Sequence, residues 1–238
     1  MIDIHTHILY DTDDGAKTLE DSIKILTNAA KNNVTDIVLT PHYIRNTKYN
    51  LSIKEKTKRL NNLQKELKKR GININLYLGN EVLIEKDLIS LYKEISTINN
   101  SRYILIEFPL NQKNIYLDEL LEEINSLKLV PIIAHPERYL SYYKDYNLFI
   151  KLHEKGCLFQ GNISSLYNKF GSKSNRMLKD LLKLNLIDIM ASDIHSPKNN
   201  IYKKNINRKL VKIIKDQNKV NDLLVNNPTK VIKNIKIN

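Results

Sequence analysis

The chain predicts an α/β fold in one domain, a β/α barrel in preference to an open sheet, and three observations predict it. Seven short apolar runs alternate with amphipathic segments, the pattern of parallel strands joined by helices. No Gly/Ser-rich or Pro-rich linker divides the 238 residues. Histidines and carboxylates recur where the apolar runs end, on the rim where barrel enzymes build their sites.

The first run, residues 2–6, lies in Ile2-Asp3-Ile4-His5-Thr6-His7-Ile8. Its alternation turns both imidazoles to one side of a short buried strand. Thr18 is placed to cap a helix whose apolar side is Leu19, Ile23, Leu26 and Ala30. Runs 36–40 and 74–80 flank a second helix marked by Leu60, Leu63 and Leu67. Run 103–107 precedes a helix carrying Leu117, Leu121 and Ile124, and runs 130–134, 157–161 and 187–191 follow. Residues 203–235 read as helical, with a turn near Asn226-Asn227-Pro228. Residues 1–238 are thus expected to form one domain, with 203–238 as a C-terminal helical extension packed on the barrel.

A hydrophobic content of 42% can supply a sizeable core. No apolar run approaches the roughly 20 residues that span a bilayer, and the N-terminus enters a strand without a basic leader, so a cytoplasmic protein is expected. The single cysteine, Cys157, cannot form an internal disulfide and sits where a buried strand begins. A net charge of +12 and a pI near 9.5 suit an anionic partner. Lysine, asparagine and isoleucine are, however, over-used along the whole chain. The basic stretches at 54–59 and 65–70 lack interleaved aromatics, so no stable nucleic-acid complex is expected.

Five of the six histidines fall at or just past a strand end: His5, His7, His42, His135 and His195. His153 lies within an amphipathic helix and is read as a solvated or packing residue, not a ligand. Glu81, Glu107 and Asp193 share the strand-end register, while Asp13 and Asp14 fill the first loop. Such groups cost several kcal/mol each to desolvate unless paired, and divalent cations are the natural compensation. Imidazole and carboxylate donors without thiolates suit manganese, iron or zinc.

The ordered set His5-x-His7, Asp14, Pro41-His42, Glu81, Glu107, His135-Pro136-Glu137-Arg138 and Asp193-x-His195 closely resembles the PHP (polymerase and histidinol phosphatase) metallophosphoesterases. With Asp13-Asp14-Gly15, Ser101-Arg102-Tyr103 and Ala191-Ser192-Asp193, it is similar more narrowly to the bacterial manganese-dependent protein-tyrosine phosphatases of capsule and exopolysaccharide synthesis. The resemblance spans essentially the whole chain. It implies a distorted TIM-like (β/α)7 barrel and up to three divalent ions, Mn2+ foremost, with Fe, Zn, Co or Mg as other occupants. His5, His7, Glu81 and Asp193 would hold the first ion, with Glu81 bridging to a second on Glu107 and His135. Asp14, His42 and His195 would hold the third.

The resemblance also implies a phosphotyrosine protein substrate, such as the tyrosine-rich tail of a membrane-associated autokinase, and an oligomer is compatible with it. Three divalent ions facing Asp14, Glu81, Glu107 and Asp193 leave about two positive charges, which suits a phosphate dianion. Arg138 can fork onto phosphate oxygens unless it is a surface residue paired with Glu137. His42 and His195 are candidate proton donors. Several relatives carry an arginine after the last Asp-x-His pair, where this chain has Ser196-Pro197-Lys198-Asn199-Asn200. Lys198 could substitute as a point charge, and Arg45 is a further phosphate candidate. The alternatives are a small-molecule phosphomonoesterase of the histidinol-phosphate kind, a PHP-type nuclease, an amidohydrolase and a non-catalytic binding module.

Overall fold

The structure is a computed structural model and describes residues 1–84, 88–110 and 117–237. Its first half contains β1 (Ile2–Asp3), α1 (Leu19–Lys31), β2 (Asp36–Leu39), β3 (His42–Tyr43), α2 (Ile53–Lys69), β4 (Asn75–Leu78), β5 (Glu81–Leu83) and α3 (Leu88–Leu91). There follow β6 (Tyr103–Glu107), α4 (Leu117–Ser126), β7 (Val130–Ala134), α5 (Asn147–Glu154), β8 (Leu158–Asn162), α6 (Gly171–Lys183) and β9 (Ile189–Ala191). The tail holds α7 (Ile206–Ile214), α8 (Gln217–Asn221) and α9 (Asn227–Ile232).

All strand pairs are parallel, in the orders β1-β2-β4 and β3-β5-β6-β7-β8-β9. The nine segments occupy seven barrel positions, because β2 continues into β3 and β4 into β5. Pro41, which has no N–H to donate, interrupts the first pair. Gly79 lies in the second gap, and its N–H donates to Leu39 O at 2.9 Å. A Cβ there would stand 3.2 Å from Thr40 Cγ2 and 3.3 Å from Val38 Cγ1, so a larger residue would have to push these side chains back by a few tenths of an ångström. The ring closes where Thr6 bridges Ile194 in parallel. His7 N–H donates to Ile194 O at 2.9 Å and Asp193 N–H to His5 O at 3.0 Å. The expected run 74–80 therefore ends early, and Glu81 opens β5 instead of closing β4.

Period-two alternation along the strands separates two buried layers. Ile4, Val38, Leu105, Ile132, Ala134, Ile189 and Ala191 join with Val231 and Ile232 of α9. Ile37, Leu39, Ile104, Ile133 and Met190 face the helices, where they meet Ile23, Leu26, Leu63 and Ile124. Thr18 caps α1 as expected, in a reciprocal capping box with Asp21.

The tail shuts the N-terminal end of the barrel. Asn227 Nδ2 donates to Asp188 O at 2.9 Å, and Tyr103 Oη donates to Ile235 O at 2.8 Å. This leaves the strand C-termini as the open rim. The turn expected at 226–228 is absent, since Asn226 and Asn227 are both right-handed helical and a π-type turn over Asp222–Asn226 runs straight into α9. Pro228 is the second residue of α9 and follows directly on the wider π-type turn, in which Asn227 N–H donates to Asp222 O. Burial pushes the Cys157 thiol up to about 12 against the pull of Lys155, which fits a packing role.

Lys56, within the basic stretch 54–59, is not solvated. It is buried under the barrel wall, where Nζ donates to Asn80 Oδ1 and, at 3.1 Å, to Ser96 Oγ.

Candidate metal centre

His5 and His7 project from the end of β1 into the rim and are fully buried. Their Nε2 atoms stand 3.3 Å apart. Each Nδ1 already has an acceptor, Gln160 Oε1 at 2.7 Å for His5 and Asp13 Oδ2 at 2.6 Å for His7. With the protons on Nδ1, two Nε2 lone pairs face each other, an arrangement stabilised by a cation between them. Glu81 Oε2 is 3.1 Å from both Nε2 atoms, and Asp193 Oδ1 is 3.5 and 3.4 Å from them. Two donors bound about 2.1 Å from one ion lie about 3.0–3.4 Å apart at octahedral or tetrahedral angles. The four side chains fit that spacing.

Two further groups adjoin this one. His7, Asp14, His42 and His195 form a cluster, as do His42, Glu81 and Glu107, each residue offering one donor atom within 4.8 Å of the others. His135 Nε2 is 2.9 Å from Glu81 Oε1 and 3.7 Å from Glu107 Oε2. All nine expected donors therefore meet in one place. The grouping adds His7 beside Asp14, His42 and His195, and brings His42 close to the Glu81–Glu107 pair. The donors grade outward from buried His5, His7, Glu81, His135 and Asp193 to Asp14, whose side chain is 52% exposed.

Two of the donors sit in left-handed backbone, His135 at φ 36° and Asp193 at φ 51°. Non-glycine residues persist there only where their surroundings hold them. The loop carrying Asp13 and Asp14 is fixed in the same manner. Gly15 packs so tightly on His7 that a Cβ would come within 2.0 Å of His7 O, and Gly15 N–H donates to Asp13 Oδ1 at 2.9 Å.

Sequence reasoning missed the residues that orient the donors. Asp13 binds His7 and accepts the His42 N–H at 2.9 Å, Gln160 binds His5, and Asn162 Nδ2 donates to Asp193 Oδ2 at 2.7 Å. The only available signal was position: Asp13 adjoins Asp14, and Gln160 and Asn162 end a strand. Arg138 is not a surface partner of Glu137. Its Nη1 lies 3.5 Å from Asp193 Oδ2, and its guanidinium stacks 4.5 Å from the Phe170 ring centroid. Glu137 points inward, accepting Asn162 N–H and Ser165 Oγ–H.

The donors open into a cavity of about 420 Å³ whose wall includes Ile44, Tyr49, Arg138, Lys169 and Phe170. Arg45 and Lys198 are exposed and outside the lining, so the structure does not bring these two phosphate candidates to the site. Lys169, which the sequence reading passed over, stands there instead.

Charge in the cage is strongly coupled to protons. Burial would lower the His5 pKa, but Glu81 and Asp193 outweigh it and hold it up to about 9. His7 is raised as well, with Asp13 overcoming burial. Burial would raise Glu81 and Asp193, but the charged His5 ring and the hydrogen bonds of neighbouring histidines, His135 and His7 on Glu81 and His7 on Asp193, hold both well below the carboxylate range. His195 is pushed down to about 4 by burial and by His7. Protons and divalent ions satisfy the same demand for positive charge in this pocket.

Fold and site together define a β/α barrel with a metal-type cage of imidazole and carboxylate donors on its C-terminal rim. The chain belongs to the capsular polysaccharide synthesis family CpsB/CapC, whose family model matches residues 1–233. It is 39% identical to CapC of Staphylococcus aureus over 198 residues, covering 82% of this chain and 77% of CapC. It is 34% identical over 204 residues to the tyrosine-protein phosphatase YwqE of Bacillus subtilis, covering 83% and 78%. A crystal structure from the pair YwqE of Bacillus subtilis and CpsB of Streptococcus pneumoniae, described as unique metal-dependent tyrosine phosphatases, matches with a TM-score of 0.88. That match is 28% identical and covers 100% of this chain and 96% of the other.

Proposed function

We propose that this protein hydrolyses phosphotyrosine in protein substrates, with up to three divalent ions, Mn2+ foremost, held by His5, His7, Asp14, His42, Glu81, Glu107, His135, Asp193 and His195. The observation that carries the reading is the pair of facing Nε2 atoms on His5 and His7, each with its Nδ1 already engaged. Family membership and the activity named for YwqE support the substrate class.

Bound ions at such a site supply Lewis acidity, lowering the pKa of water from about 15.7 toward about 7 and neutralising phosphate charge. The chain's own residues do the rest. Arg138, stacked on Phe170 and close to Asp193, offers its N–H groups to phosphate oxygens as they gain charge. His195, pushed down to about 4, is neutral at pH 7 and serves as a donor to the cage instead of a proton donor. For His42, burial and His7 pull the pKa down but Glu107 and Glu81 outweigh them in the metal-free chain; as a donor to the cage it gives up that proton when metal binds, so neither histidine supplies strong general-acid help at the leaving oxygen. The demand for such help is slight, because phenolate, with a pKa of about 10, leaves readily.

The physiological substrate in this reading is the tyrosine-rich tail of a membrane-associated kinase that governs capsule or exopolysaccharide synthesis, met in the cytoplasm. Among the described residues no helix is long and apolar enough to cross a membrane. Manganese-loaded protein should release phosphate from phosphotyrosine peptides far faster than from phosphoserine peptides or histidinol phosphate, and should fall silent on chelation. Equal turnover of all three substrates would overturn the reading.

A further inference from the structure

The cavity above the donor cage contains three side chains that phosphate chemistry does not use. Ile44, Tyr49 and Phe170 are half-buried in its wall, apolar surfaces among imidazoles, carboxylates and cations. Leaving such surface against water is unfavourable in proportion to its area, so these rings gain when an apolar group covers them.

Both aromatics are held in place. Ile44 N–H donates to Tyr49 O at 3.0 Å, folding the loop after β3 back so that the Tyr49 ring stacks on His42 at 6.2 Å and 26°. Phe170 lies between Asn168, at φ 60°, and Gly171, at φ 86°, a reversal that brings its ring to the rim. Arg138 covers one part of that ring and Lys169 Nζ lies 5.2 Å from its centroid. The phosphate end of a substrate, drawn to the cage beneath, would place its next atoms between these walls.

We propose that Tyr49 and Phe170, with Ile44, form an aryl slot that holds the ring of an aryl phosphate and sets the preference for aryl over alkyl phosphate monoesters. The proposal rests on the phosphotyrosine reading and names the residues that carry its selectivity. In phosphotyrosine a ring and a methylene separate the ester oxygen from the backbone, so the main chain stays outside while the ring fills the slot. In phosphoserine a single methylene intervenes, so the backbone would have to enter the cavity and give up its hydration. Ring contacts at centroid separations of about 4.5–7 Å reward the first arrangement only.

The test compares phenylphosphonate, methylphosphonate and inorganic phosphate as competitive inhibitors of the manganese-loaded protein. Wild type should bind phenylphosphonate about tenfold more tightly than methylphosphonate. Tyr49→Ala and Phe170→Leu should each shrink that ratio by about threefold to tenfold. For Tyr49→Ala, inhibition by inorganic phosphate should hold within about twofold. Tyr49→Phe, which retains a ring, should keep the ratio. Metal content and thermal midpoint identify any variant that has lost the cage, and the conservative Tyr49→Phe and Phe170→Leu variants keep the comparison readable if Tyr49→Ala does not fold. A wild-type preference for phenylphosphonate that survives both substitutions would overturn the slot and leave the phosphotyrosine reading intact. Wild-type protein that dephosphorylates phosphoserine and phosphotyrosine peptides equally would overturn the reading itself.

Discussion

The Asp13 carboxylate lies 2.6 Å from Nδ1 of His7 while also accepting the His42 backbone N–H, so one buried acid fixes a donor beyond the end of β1 and another at the start of β3. Such a carboxylate sets the tautomer and basicity of the imidazole it touches. Asp13→Asn should weaken metal binding about 10-fold to 100-fold. Calorimetric titration of the metal-free protein with Mn2+ measures this, and excess metal should restore much of the lost turnover. Unchanged affinity would remove Asp13 from the site.

The proton linkage of the cage fixes the sign of a pH effect. His5 titrates near 9 in the folded chain and at 6.5 in the unfolded one, so the folded state binds more protons between those values. Metal-free protein should therefore lose stability as pH rises from about 6.5 to 9. Manganese-loaded protein, with its donors deprotonated throughout, should not, and metal affinity should rise across the window. Thermal midpoints with and without chelator, read at intervals over this range, check it.

Lys56 acts in the opposite direction at higher pH. Burial pushes its folded pKa down to about 8 from 10.5, so the unfolded chain binds more protons between those values and stability rises across them. Lys56→Met should abolish that rise while changing stability at pH 7 by less than about 1 kcal/mol, because Asn80 Oδ1 keeps the Ser96 N–H. Lys56→Ala should cost about 2–4 kcal/mol through the void it leaves. Denaturant titrations at pH 7 and pH 10 separate the two variants.

Arg138 presents a planar fork that lysine cannot reproduce. Arg138→Lys should lower kcat/KM for a phosphotyrosine peptide about 10-fold to 100-fold with metal stoichiometry unchanged. Steady-state kinetics and metal analysis on the same sample decide it, since a loss of metal would point to a structural role through Asp193 instead.

The strands and eight of the nine side chains that meet at the rim were legible because polar residues at the ends of apolar runs contradict the local pattern and so stand out, whereas Asp14, in a loop, was marked only by the order of motifs around it. What orients the donors was not. Gln160 meets His5 across 155 positions, and nothing around Gln160 in the chain distinguishes it from any other strand polar residue. Tyr49 and Phe170 lie in loops, where aromatics carry no periodic signal. Arg138 and Glu137 are neighbours in sequence but point to opposite sides of a 3-10 turn, so adjacency suggested an ion pair that the backbone forbids. The expected break at 226–228 failed because a π-type turn, which the local sequence does not announce, carries the helical backbone through Asn226 and Asn227 to Pro228.

Anomalous diffraction at the manganese edge, from crystals grown with Mn2+, tests the central claim most directly. The account predicts a strong peak bounded by His5, His7, Glu81 and Asp193, with up to two more beside His42, Glu107 and Asp14. Catalytically active crystals with no anomalous density among those side chains would contradict it.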